Sequence, residues 1–199
     1  MVSAIAAPAA PQDGGERFVI HDVPWHLYVS LRDSLDERGS HLRLTYLRGE
    51  LELMSPSNEH EESKGLIGHL LEVYCVEMGI EVYVQGSTTY REERAQRGLE
   101  PDESYSFGTK KDIPDLAIEV VHSRWRVDKL EVYRGLGVPE VWVFRAGVIQ
   151  VHRLNEGAYV EAPRSVALPA LDLELLARHA TPGTSLTAAV RAFRRALGI

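Results

Sequence analysis

Two carboxylates and one lysine in the middle of the chain have the side-chain types that phosphoester chemistry requires. Glu119 lies inside the apolar run 115–121, and Asp102 follows a proline at the start of a neighbouring strand-like segment. A charge in an apolar strand is costly unless an opposite charge or a metal ion compensates it. Mg²⁺ prefers oxygen ligands and is commonly held by one or two carboxylates. We therefore expect Asp102 and Glu119 to hold one cation, Mg²⁺ or Mn²⁺.

The run 115–121 also predicts which side chains share a face, because strand side chains alternate. Its even-numbered positions are aliphatic, whereas Asp115 and Glu119 lie together on the other face. Asp115 is either a substrate contact at the edge of the site or a turn cap, a common role for Asp after Pro. His122 and Ser123 follow the strand, at a sheet edge where sites commonly form. We expect them to contact substrate.

Lys129 is the candidate for the positive charge at the site. It belongs to a predicted helix, about 125–136, that follows Glu119. From that helix its ammonium group would reach back over the end of the strand, to orient a water molecule or to offset charge on a phosphate. The alternative is a surface lysine paired with Asp128 or Glu131, and position alone does not decide between the two.

The elements that must position these residues follow from hydrophobic periodicity. The pattern predicts helices at about 24–38, 59–78, 125–136, 171–179 and 184–197, and strands at 42–47, 50–54, 81–90, around 101–102, 115–121 and 140–144, followed by a hairpin at 148–161. The charged run 91–98 is interpreted as a solvated loop, as charge runs usually are. The alternation of strands and helices predicts a mixed α/β protein with a central sheet and helices packed on it.

Length, composition and charge limit the classes of protein to which the chain can belong. The 199 residues fit one domain, 17–199, preceded by an Ala/Pro-rich tail, 1–16, that we interpret as disordered. No run approaches the roughly 18 apolar residues that span a membrane. The single cysteine, Cys75, excludes a disulfide framework and fits a cytoplasmic location. The net charge of −7 is unfavourable for binding nucleic acid, but local patches matter more than the sum.

Motifs spread over about residues 40–160 resemble the Uma2 family. They are GELELMSPS at 49–57, His60-Glu61, GLEPDESY at 98–105, PDLAIEVV at 114–121, Lys129-Leu130 with Tyr133, and GVPEVWV at 137–143. No single motif is specific, but their order and spacing together are. That family is grouped with the restriction-endonuclease-like PD-(D/E)XK nucleases. The resemblance implies a central mixed β-sheet flanked by helices, with an N-terminal hairpin extension, and metal-dependent cleavage of DNA.

The resemblance also implies roles for particular residues. Asp102 corresponds to the Asp of the "PD" element and Glu119 to the acid of the second half-motif. The superfamily's lysine stands two residues after that acid, where this chain has Val121. The Uma2-like solution is a lysine that has moved to the next helix, which Lys129 fits. In related nuclease folds an acid on the first helix joins the metal site, and Glu61 is the candidate here.

Two interpretations of Glu61 stay open at this point. It is either a third metal ligand or a complement to the helix dipole, which stabilises an acid in the first turn by roughly 0.3–1 kcal/mol. His60 stands beside it as a proton carrier or phosphate contact.

Three functions are compatible with these residues. The first is a Mg²⁺-dependent endodeoxyribonuclease, with phosphate contacts from Arg91, Arg94 and Arg97, or from Arg124 and Arg126. The second is a catalytically weak or inactive nuclease-fold protein that binds nucleic acid or a protein partner. The third is a hydrolase for another phosphoester, such as RNA or a nucleotide. Since duplex cutting usually requires two active sites, we expect a homodimer that binds DNA, with no membrane contact and no organic cofactor.

Overall fold

The computed structural model describes residues 16–122 and 124–199. Its helices are α1 (Trp25–Glu37), α2 (Asn58–Glu77), α3 (Lys129–Leu136), α4 (Leu173–His179) and α5 (Leu186–Leu197). Its strands are β1 (Arg17–Ile20), β2 (Arg43–Leu47), β3 (Glu50–Met54), β4 (Val82–Val84), β5 (Tyr90–Glu92), β6 (Arg97–Leu99), β7 (Glu103–Phe107), β8 (Leu116–Val120), β9 (Glu140–Arg145), β10 (Val148–Asn155) and β11 (Ala158–Ala162). The predicted disordered tail, apart from Glu16, and Ser123 lie outside the described residues.

The strands form two sheets. The larger sheet has the order β11-β10-β9-β8-β7-β4, and its central pair, β8 and β9, is parallel. The smaller sheet, β1-β3-β2-β6-β5, is antiparallel throughout. The predicted mixed architecture is confirmed: the protein is a mixed α+β protein with a central sheet flanked by helices. The predicted N-terminal hairpin, β2 and β3, is part of the smaller sheet.

Strand β8 separates two hydrophobic cores, as its alternation predicts. Leu116, Ile118 and Val120 belong to the core that α2, α4 and α5 cover. Ala117 and Val121 belong to the core that α3 covers. Glu119 therefore points towards α3, because it shares a face with Ala117 and Val121.

Helix α3 is packed between the two sheets by a close contact with β6. Arg97 is buried and its Nη2 donates to Glu131 at 2.7 Å. A Cβ atom at Gly135 would lie 1.7 Å from Arg97 Nη1, so only glycine fits there. The interpretation of residues 91–98 as a solvated loop was wrong. Parts of this run form β5 and β6, because Arg97 and Leu99 are buried against α3 and its core.

Three further predicted boundaries were wrong. The helix predicted at about 125–136 begins only at Lys129, because the N–H groups of Arg126 and Val127 donate to the Glu52 carboxylate. The strand predicted at 81–90 is broken into β4 and β5, which belong to different sheets, and Gly86 between them has a φ of 57°. The strand predicted around 101–102 is also displaced: it begins at Glu103, as β7, and Asp102 lies just before it because its side chain accepts from Val120 N rather than its backbone joining the sheet. The remaining helices and strands predicted lie within about two residues of those observed. Strand β1 was not predicted.

No helix in the described part of the chain is long and apolar enough to cross a membrane.

Candidate active site

Glu119 is the centre of the candidate site. It is the fourth residue of β8 and is fully buried. Its Oε2 accepts a hydrogen bond from Lys129 Nζ at 2.6 Å, and its Oε1 accepts one from the Tyr133 hydroxyl at 2.5 Å. The charge that the sequence places in an apolar strand is therefore compensated by a buried lysine.

Helix α3 presents both of these partners. Lys129 and Tyr133 lie four residues apart, so they share one face of the helix. The helix begins at Lys129 because the Asp128 side chain caps it, accepting from Glu131 N at 3.1 Å. Lys129 is only 2% exposed, which excludes the alternative of a surface lysine. Its ammonium group is fixed at the carboxylate rather than free in solvent.

Asp102 lies beside Glu119. In the antiparallel pairing of β7 with β8, Glu103 faces Ile118, so the next step of that register brings Asp102 opposite Glu119. Asp102 is 1% exposed, and its Oδ2 accepts from Val120 N at 2.8 Å. Its Oδ1 is buried and has no hydrogen-bond partner among the described residues.

His60 completes the cluster from the first turn of α2. The side chain of Ser57 caps this helix by accepting from His60 N at 3.2 Å, which fixes the start of the turn. The imidazole Nε2 lies 3.1 Å from Asp102 Oδ2, and Nδ1 lies 3.4 Å from Glu61 Oε1. Burial lowers the pKa of His60, but the hydrogen bonds with Asp102 and Glu61 outweigh it and raise that pKa to about 9. His60 is therefore a cation at neutral pH.

The two buried carboxylates differ in their protonation equilibria. Burial raises the pKa of Asp102, but the His60 hydrogen bond and the charges of His60 and Lys129 outweigh it and hold that pKa below its ordinary value. Burial and the charge of Asp102 raise the pKa of Glu119, against the opposing effect of Lys129. The cluster thus pairs two carboxylates with two cationic groups in a site buried from bulk solvent.

The structure brings some of the predicted site residues together and separates others. Asp102, Glu119, Lys129 and His60 form the cluster. His122 is exposed next to it, with its ring centroid 6.1 Å from that of His60. Ser123 lies outside the described residues.

Glu61 contacts His60 at the edge of this cluster, whereas Asp115 lies apart from it. Glu61 is on the far side of the His60 ring from Asp102, and its other oxygen accepts from Lys64 at 3.4 Å. Asp115 precedes β8, at the opposite end from Val120, where it accepts from Phe107 N and from Lys111. Its geometry is that of a turn cap rather than of a neighbour of Glu119.

Sequence reasoning did not assign a role to two residues that shape the site. Tyr133 hydrogen-bonds to Glu119, and its spacing of four from Lys129 was the available signal. Glu52 on β3 is buried and holds the segment before α3 through two backbone N–H groups. No local pattern could reveal this contact, since it joins residues more than 70 positions apart.

The donor set fits a magnesium ion held by two carboxylates. Asp102 Oδ1 is a buried acceptor without a protein donor, and each Glu119 oxygen accepts one hydrogen bond, whereas a carboxylate offers about four lone-pair sites. Mg²⁺ is usually bound by one or two carboxylates, with waters and substrate oxygens completing its shell. Within residues 16–122 and 124–199, no group of three or more His, Cys, Asp or Glu side chains is arranged to hold a metal.

The mixed sheet and its buried acidic cluster define a protein of the restriction-endonuclease-like class. The sequence model of the Uma2 family, described as "putative restriction endonuclease", matches residues 27–189. The chain therefore belongs to the Uma2 family. This match extends beyond residues 40–160, over which the motifs were found. No curated protein matches the chain.

Proposed function

We propose that the protein is a Mg²⁺-dependent endonuclease that hydrolyses phosphodiester bonds of DNA. The observation that carries the proposal is the buried cluster of Asp102, Glu119 and Lys129, in which one carboxylate oxygen has no protein donor. Membership of a family described as "putative restriction endonuclease" supports the same reaction class.

Asp102 and Glu119 would hold the cation, because Asp102 immediately precedes β7 and the register of β7 with β8 brings it opposite Glu119. A bound Mg²⁺ would supply Lewis-acid polarisation of the phosphate and a lowered pKa for water. Asp102 stays ionised over the physiological range, since its pKa is held below the ordinary value. Val120 N and His60 fix the orientation of its carboxylate.

Lys129 replaces the lysine that the superfamily carries two residues after the acid. Its ammonium group is 2.6 Å from Glu119 and buried, so it offsets negative charge where water is excluded. Fixed charges in such a site stabilise a transition state more strongly than charges in water do. Tyr133 holds the second oxygen of Glu119 and thereby orients the carboxylate.

His60 is suited to contact a phosphate or to donate a proton. Its pKa of about 9 leaves the ring protonated at neutral pH, so it does not serve as a general base there. His60 would therefore act as a general acid. Another group would have to remove the proton from the attacking water.

Cutting both strands of a duplex requires two such sites. A symmetric homodimer is the simplest assembly that supplies them, because a twofold axis relates the two strands as it relates two subunits. DNA and a second copy of the chain are therefore the proposed partners.

Nicking of supercoiled plasmid DNA tests the proposal. We expect nicking with Mg²⁺ or Mn²⁺, its loss on chelation with EDTA, and its loss in Asp102→Asn and Lys129→Met. Asp115→Asn is the matched control, since Asp115 lies at the other end of β8 and its activity should equal that of the wild type. Equal nicking by all four proteins would show a contaminating nuclease and contradict the proposal.

A second candidate is a nucleic-acid-binding protein without catalytic activity. The observation that favours it is Val121 at the position of the superfamily's lysine, together with the engagement of Lys129 by Glu119. Binding of DNA without nicking under either metal would select this candidate. Running RNA and nucleotide substrates beside the plasmid distinguishes a hydrolase for another phosphoester.

A further inference from the structure

A basic cleft lies next to the candidate site, in the segment between β8 and α3. It has a volume of about 620 Å³. Its lining residues are Arg124, Trp125, Arg126, Val127, Asp128 and Arg145. Three arginines thus surround one cleft, although the chain as a whole carries a net charge of −7.

The guanidinium groups of this cleft are not used within the part of the protein that the structure describes. In the described residues, the side chains of Arg124, Arg126 and Arg145 make no hydrogen bond and no ion pair, and all three residues are exposed. By contrast, Arg97 is buried and paired with Glu131. These three cations outnumber the one acid in the lining, Asp128, so the cleft favours an anionic ligand.

The cleft adjoins the site through the ends of the two parallel strands. Val121 N donates to Phe144 O at 2.8 Å, which keeps the carboxyl ends of β8 and β9 side by side. Arg145 is the last residue of β9, and Arg124 follows β8 by four residues. Glu119 is the last but one residue of β8, so the cleft and the buried acidic cluster lie at the same edge of the sheet, where ligands of open α/β sheets bind.

A buried carboxylate fixes the shape of this segment. Glu52 is 1% exposed, and its Oε2 accepts from Arg126 N at 2.6 Å and from Val127 N at 3.2 Å. Its Oε1 accepts from Arg17 Nη1 at 2.5 Å, so the carboxylate is itself anchored to β1. The backbone of the cleft is therefore held by the smaller sheet, which a merely solvated loop does not require.

We propose that the Arg124–Arg126–Arg145 cleft binds the sugar–phosphate backbone of the nucleic acid on one side of the scissile phosphate. This rests on the proposed function, which supplies the substrate. Phosphate contacts from arginine position a nucleic acid without reading its sequence. In an acidic protein they also supply the attraction that the net charge does not.

Fluorescence anisotropy with a labelled DNA duplex in EDTA, over a range of salt concentrations, tests the cleft separately from catalysis. The test variant is R124A/R126A/R145A. The matched control, R178A/R191A/R195A, removes the same charge from α4 and α5, which cover the other face of the large sheet. We expect at least about 10-fold weaker binding by the test variant only, with a salt slope reduced by about 2–3, since each phosphate contact contributes about 0.9.

The outcomes separate this inference from the proposed function. Equal affinity and equal salt slope in the two variants, or no binding by the wild type, would contradict the proposal that this cleft binds nucleic acid. Plasmid nicking with Mg²⁺ is measured on the same preparations, whose folding is checked by thermal unfolding. Loss of binding in the test variant, with no nicking by the wild type, would support binding of nucleic acid by the cleft. The same result would contradict the proposed nuclease activity.

Discussion

Two buried glutamates lie on adjacent parallel strands and differ in what surrounds them. Glu119 is near the carboxyl end of β8, and Glu140 is at the amino end of β9, opposite Leu116. Both are at most 2% exposed. Glu119 is bound by a lysine and a tyrosine from one helix and faces a second carboxylate. Among the described residues, the donors to Glu140 are all neutral groups: Trp142 Nε1, Ser165 Oγ, Val166 N and Ala167 N.

The difference separates a structural carboxylate from a candidate catalytic one. Each carboxylate oxygen of Glu140 accepts two hydrogen bonds. These bonds hold the 165–167 segment against the end of the sheet. Around Glu119 the donors are charged or titratable, and the neighbouring Asp102 retains an unused buried oxygen. Burial of an acid alone therefore does not identify a site, whereas a cluster of opposing charges with an unsatisfied acceptor makes it a candidate.

The largest expected effect is a loss of stability when the structural carboxylate, Glu140, is removed. Glu140→Ala leaves four donors without their acceptor in a buried region, and we expect the free energy of unfolding to fall by about 3–5 kcal/mol. Denaturant unfolding measures this loss. Nicking per folded molecule should stay at the wild-type level. A loss of activity larger than the loss of folded protein would show that the two glutamates do not have separate roles.

The second effect is on the catalytic side. Glu119→Gln keeps the size of the side chain but removes the charge, and we expect nicking to fall about 100- to 1,000-fold. Glu140→Gln is the matched control and should retain activity. Initial rates on supercoiled plasmid, with both variants shown to be folded by circular dichroism, measure the contrast. Similar rates for the two variants would contradict the assignment of a catalytic role to Glu119 and a structural role to Glu140.

The third effect is a pH dependence of stability that comes from His60. Its folded pKa is about 9, above the ordinary 6.5, so protonation stabilises the folded state. This contribution is complete below pH 6.5 and is lost as the pH rises through 9; it amounts to at most about 3 kcal/mol. Unfolding of metal-free wild type and His60→Gln across this window measures it. A difference between the two proteins that stays constant with pH would contradict the charged His60–Asp102 pair.

The smallest effect concerns the packing that places Lys129. Gly135→Ala introduces a Cβ atom 1.7 Å from Arg97 Nη1, and we expect a loss of about 1–3 kcal/mol with a reduced nicking rate. Gly65→Ala in α2 is the control, because a Cβ atom there meets nothing within 4 Å and a helical alanine is preferred by roughly 0.5–1 kcal/mol. Thermal unfolding of both variants tests this, and equal stabilities would show that Arg97 does not fix α3.

Local patterns were sufficient for much of the fold and for the carboxylates of the site. Alternation along 115–121 predicted the face on which Glu119 lies, and the Pro-Asp step led to Asp102. The same reasoning interpreted 91–98 as a loop, because a charge run alone does not reveal that Arg97 is buried and paired with Glu131 on α3. Contacts between distant segments, such as Glu52 with Arg126, were beyond any local pattern.

The position of a bound metal tests the central claim most directly. Crystals of the protein soaked with Mn²⁺ should give an anomalous difference peak about 2.0–2.3 Å from Asp102 Oδ1 and from a Glu119 oxygen. Asp102→Asn crystals treated in the same way should give none at this place. A wild-type map without a peak between the two carboxylates, with the Lys129–Glu119 pair unchanged, would contradict a metal-dependent active site here.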